Sequence, residues 1–96
     1  MKRLLVQLVF SPELRKEWPK KVLTAEAQLQ PGGPWSIRAK LRAPPDQNGR
    51  AWALVEFLVP EAPTSDLILG STFDMTLGSN NVASCTVRSI TRVIDG

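Results

Sequence analysis

The side chains best placed to do chemistry in this sequence are cations, with Arg38, Lys40 and Arg42 recurring at every second residue. On an extended strand such residues project from one side about 7 Å apart, a spacing that suits the phosphates of a nucleic-acid strand. Lys20 and Lys21, with Arg15 and Lys16, extend the set, and Trp18, Trp35 and Trp52 could offer faces on which bases stack. The same cations could instead steer an acidic protein partner, with a tryptophan at the edge of the patch as its anchor. Trp18, on a segment flanked by Pro12 and Pro19, is the anchor candidate; its structural alternative is a plug over one end of a barrel. Trp35 shares its side with Ile37 and Leu41, so core packing is its expected role.

Catalytic chemistry finds little support. The sequence has no histidine, which removes the commonest general base and metal ligand along with every Ser–His or Cys–His pair. Its one cysteine, Cys85, falls between Ala83 and Val87 in an alternating stretch and reads as a small core residue. A zinc site would need mostly carboxylates, a poor donor set for that metal. Glu56 stands in the most apolar stretch and, if buried, could act as an acid or base; pointing outward or pairing with an arginine is its plainer reading. Gly32-Gly33 is flanked by prolines and Gly78 opens a polar turn without a lysine, so neither makes a phosphate loop. The expectation is a non-enzymatic protein with no cofactor and no metal.

Ninety-six residues suit a single domain spanning 1–96, with 43% hydrophobic and 22% charged side chains as in ordinary globular proteins. The net charge of +3 conceals an imbalance. Residues 1–42 carry nine basic side chains against three acidic ones, whereas 43–96 carry three against six. A lone cysteine fits a reducing compartment. Met1-Lys2-Arg3 before an apolar run imitates a secretory signal, but Gln7 interrupts the run and no small-residue cleavage site follows. No stretch approaches the roughly 20 apolar residues of a transmembrane helix. A cytoplasmic protein with no membrane role is expected.

These residues need a scaffold, and the hydrophobic pattern supplies one. Residues 4–10 read as a first strand. Ser11-Pro12-Glu13 then looks like a helix start, ended after a turn or two by Pro19. Residues 23–29 alternate as a strand, although their Leu, Ala, Glu and Gln also suit a helix. After the break at 31–34, Trp35, Ile37, Ala39 and Leu41 alternate with Ser36, Arg38, Lys40 and Arg42, a half-buried strand with a basic outer face. The Asn48-Gly49 step turns the chain back into 51–59, apolar on both alternating sets except at Glu56 and hence a central strand. Residues 73–77, a turn at 78–81, and 82–94 as one strand or a pair complete the pattern. Six to seven short strands predict an all-β fold, a small, partly closed antiparallel barrel with one short helix after the first strand.

Three stretches resemble the end of the β-barrel domains of translation elongation factor Tu. They are Leu58-Val59-Pro60-Glu61-Ala62-Pro63, then Leu69-Gly70-Ser71-Thr72-Phe73-Asp74-Met75-Thr76-Leu77-Gly78, then Val82-Ala83-Ser84-Cys85-Thr86-Val87. In those barrels a hydrophobic segment leads into a G-x-x-F strand and turn, and a return strand with alternating small residues ends in valine. Small stand-alone bacterial proteins are similar. The resemblance covers about the last forty residues and implies a barrel; Cys85 departs from it where a second glycine is usual. The nucleotide-binding domain of the factor has no counterpart, so the resemblance implies no GTP chemistry and no site residue.

The expected function is therefore binding of a protein partner, in its concrete form an immunity-type protein capping a toxin domain. The alternative is a nucleic-acid or ribosome-associated module. Either would use Arg38, Lys40, Arg42, Lys20, Lys21 and Trp18.

Overall fold

The computed structural model describes residues 2–12, 21–29, 32–59, 61–62 and 67–92. It places six strands there: β1 (Lys2–Phe10), β2 (Val22–Leu29), β3 (Gly33–Leu41), β4 (Arg50–Phe57), β5 (Thr72–Leu77) and β6 (Asn80–Arg92). All pairings are antiparallel, and the ring order β1-β4-β3-β2-β5-β6 closes through β6 on β1. The all-β expectation holds, with one correction: the barrel is closed, not partly closed. Nine residue pairs join β1 to β6, so the first and last strands, which would be the sheet's edges, satisfy each other's backbone groups. The narrowest seam is β2–β5, with three pairs.

The expected short helix falls largely on residues 13–20, outside the described ones; no α-helix occurs among the described residues. The last segment is a single strand, which bends at two bulges and needs no break.

One face of each strand fills the interior. Leu4, Val6 and Leu8 on β1 meet Ile37 on β3, Val55 on β4 and Met75 on β5, all with essentially no solvent exposure. Between them lie Ala25, Ala27, Ala39, Ala51, Ala53 and Ala83. Six strands enclose a narrow lumen, and alternating large with small residues is how such a lumen is filled without overpacking. Each fully buried large aliphatic side chain contributes about 1.5–3 kcal/mol. Trp35 packs partly buried against this cluster and donates its indole N–H to the Gly32 carbonyl at 2.9 Å, as its alternation predicts.

The two bulges lie on β6. Opposite Leu5 and Val6 the extra residue is Arg88; opposite Met75 and Thr76 it is Val82. A bulge re-aims a side chain, and Arg88 reaches across to Gln7, donating from Nε and Nη2 to Oε1 at 3.2 and 3.1 Å. Thr76 is the one buried polar residue among those described. Its hydroxyl accepts from Gln28 Nε2 at 3.0 Å and donates to the Glu26 carbonyl at 3.5 Å.

Candidate functional site

In a single-layer barrel only one face of a strand can be inside. The sequence of β4 is apolar at nearly every position, so its second set must meet solvent. Ala51, Ala53, Val55 and Phe57 point inward; Trp52 and Leu54 point outward and are 44% and 38% exposed. They stand near the middle of the wall formed by β3, β4 and β1.

The turn before β4 fixes this wall. The Asp46 carboxylate accepts the backbone N–H of Asn48 at 2.8 Å and that of Arg50 at 2.9 Å. Gly49 takes φ +79, as the turn requires. The same amides, Arg50 foremost, hold the Asp46 carboxyl below its usual range. Register then follows: Arg38 pairs with Glu56, and Lys40 with Leu54. Across the other edge of β4, Glu56 pairs with Arg3, Leu54 with Leu5, and Trp52 with Gln7.

Two kinds of row result. In one, Glu56 sits between two arginines, with Oε1 2.7 Å from Arg3 Nε and Oε2 3.3 Å from Arg38 Nη2. Glu56 thus has the outward, arginine-paired role, and catalysis by it loses its premise of a buried free carboxyl. In the next row Val22, Lys40, Leu54 and Leu5 lie side by side across four strands. One step further, the Arg42 amide donates to the Trp52 carbonyl at 2.9 Å, placing Arg42 beside Trp52. Lys21 joins them, because its carbonyl accepts the Leu41 amide at 2.7 Å.

The structure therefore brings Arg38, Lys40, Arg42 and Lys21 together, all exposed. Lys20 and Trp18, with Arg15 and Lys16, lie outside the described residues. Among the described residues no ion pair or side-chain hydrogen bond engages Lys21, Lys40 or Arg42, whereas Arg38 is occupied by Glu56. An open depression beside Trp52 is lined by Leu5, Arg42, Pro44, Arg50 and the carboxylate-bearing Asp46. A second holds Val22, Lys40 and Leu54 next to the Arg3–Glu56–Arg38 group.

Trp52 and Leu54 are the residues that sequence reasoning underweighted. The signal was present: a strand apolar on both faces, in a chain with only enough strands for one layer.

The far wall, β2, β5 and β6, is different. Thr72, Asp74, Ser84 and Thr86 surround a depression with Gln28. Behind them Cys85 is buried, as expected, and burial, aided by the negative charge of Asp74, pushes its thiol far above the ordinary value. It keeps its proton and is a packing residue. No group of three or more His, Cys, Asp or Glu is placed to hold a metal ion among the described residues, and no helix there is long and apolar enough to cross a membrane. Compared with protein-family models, curated proteins and solved structures, the chain matches none of them.

Proposed function

We propose that the chain is a non-enzymatic binding module that docks an acidic protein partner on the β3–β4–β1 wall. Immunity-type capping of a toxin domain is one concrete form of that activity. The observation that carries the reading is Trp52 and Leu54 standing exposed on a central strand, with Lys40, Arg42 and Lys21, which have no ion pair among the described residues, around them. An apolar centre with a charged rim, in which cations outnumber acids, is the arrangement of a protein interface. The aromatic anchor supplies affinity, and the rim supplies steering and orientation.

A phosphate-tracking surface is less well supported. Arg38, central to the sequence motif, has its charge answered by Glu56. Among the described residues, Trp52 is the one aromatic face exposed on the β3–β4–β1 wall, whereas single-strand binders stack successive bases on several. Similarity of 58–87 to the elongation factor Tu barrels remains a proposal of fold kinship. It is favoured by a strand at 72–77 followed by a tight turn and a return strand at 80–92, and it carries no activity.

The test is affinity capture from the source cell with the native chain and with Trp52→Ser and Lys40→Glu/Arg42→Glu variants. The partner is identified and its affinity for each form is then measured by titration calorimetry. An acidic protein bound by the native chain and lost by both variants supports the reading. A partner that binds all three equally overturns it.

A further inference from the structure

Glu56 is the one acidic side chain on the outer surface of β3, β4 and β1, and its position is specific. Its carboxylate lies between Arg3 and Arg38, at 2.7 and 3.3 Å, one strand from each. The side chain is 21% exposed, against 48% and 54% for the two arginines, so it is held in the wall beneath them. Without it Arg3, Arg38, Lys40, Arg42 and Lys21 would form one continuous cationic track across three strands and the segment before β2. Neighbouring strands are about 4.8 Å apart and alternate residues about 7 Å, so such a track matches any flexible polyanion.

We propose that Glu56 is the specificity-determining residue of this wall: by engaging both Arg3 and Arg38 and cancelling one of their two charges, it weakens the basic surface as a general polyanion site. The inference rests on the docking reading only for the identity of the face. Lys40, Arg42 and Lys21 keep their charge for a partner that also fills the apolar ground at Trp52 and Leu54. A polyanion lacking apolar groups finds Arg3 and Arg38 held by Glu56, with one unit of positive charge cancelled. Specificity of this kind comes from weakening the wrong complex, not from strengthening the right one.

The probe is a fluorescein-labelled oligouridylate, titrated by fluorescence anisotropy at low and moderate salt. Glu56→Gln and Glu56→Thr are compared with native protein, threonine being the residue better suited to a strand. Asp74→Asn is the control, because it changes net charge by the same amount on β5, across the ring from β4. The inference predicts about tenfold tighter binding by both Glu56 variants at low salt, and a salt slope steeper by about 0.7 for the one unit of positive charge released. Asp74→Asn should change neither. Unchanged affinity in both Glu56 variants overturns the inference. So does an equal gain in Asp74→Asn, which would make net charge, not this residue, the cause. Thermal unfolding confirms that each variant is folded before it is scored. Failure here leaves the partner titration with Trp52→Ser untouched, so the two readings fall separately.

Discussion

Glu56 and Arg3 face each other across β4 and β1 with 2.7 Å between carboxylate and guanidinium, and the same carboxylate reaches Arg38 on the other side. One acid thus ties together β1, from the start of the sequence, and the consecutive strands β3 and β4. It also divides the outer wall into a row of paired charges and a row, beside Trp52, whose cations have no ion pair among the described residues. Exposed pairs contribute little each, about 0.2–1 kcal/mol, so the effect of Glu56 lies in the surface it shapes more than in stability.

The apolar ground of the wall should be separable from the fold. Trp52→Ala leaves the barrel core intact, and its thermal stability should change by no more than about 0.5 kcal/mol. Partner affinity should fall by about 2 kcal/mol or more, roughly thirtyfold, as for a central aromatic anchor. Calorimetry on the identified partner and a thermal melt of the free protein measure the two effects.

The interior should behave in the opposite way. Leu8 is fully buried in a lumen lined with alanine, which leaves neighbours little means of collapsing into a gap. Leu8→Ala is expected to cost about 2–5 kcal/mol, read by urea denaturation.

Cys85 should be silent until the barrel opens. Its thiol is buried and its ionisation suppressed, so a thiol reagent added to the native protein should react only at the rate of unfolding. The fold keeps the proton that the unfolded chain releases above its ordinary value of about 8.5. Stability is therefore full below that pH and declines above it. Cys85→Ala should flatten the alkaline decline, measured as melting temperature against pH.

Asp46 works at the acid end. Its carboxylate is stabilised in the folded turn, mainly by the Arg50 amide, so its folded value lies below the unfolded 3.8. The contribution is present above 3.8 and is lost as pH falls through the folded value. Asp46→Asn keeps an acceptor but abolishes the titration, so its melting temperature should depend less on pH in the acid range than that of the native chain.

How far the sequence discloses this molecule depends on the range of the interactions concerned. β3 was legible because its two faces differ sharply, Ile37 and Ala39 against Arg38 and Lys40. The turn before β4 was legible because Asn48-Gly49 encodes it locally, though the capping by Asp46 was not singled out. The ring order was not legible: nothing local in β1 indicates that it pairs with both β4 and β6, or that β2 meets β5 through three residues. Closure, likewise, is a property of the first and last strands meeting. The spacing of Arg38, Lys40 and Arg42 puts them on one face of a strand but cannot show that Glu56, eighteen residues on, occupies Arg38. Trp52 stands among apolar neighbours, so only the closed barrel, which assigns each of them a face, distinguishes it from a core residue.

The most direct test of the central claim is quantitative affinity capture from the source cell, comparing native chain with Trp52→Ser. An acidic protein is expected to be strongly enriched by the native chain and absent from the variant, with purified partner and native chain associating at a salt-dependent rate. If no protein distinguishes the native chain from a folded Trp52→Ser variant, the wall is not a docking surface and the claim is wrong.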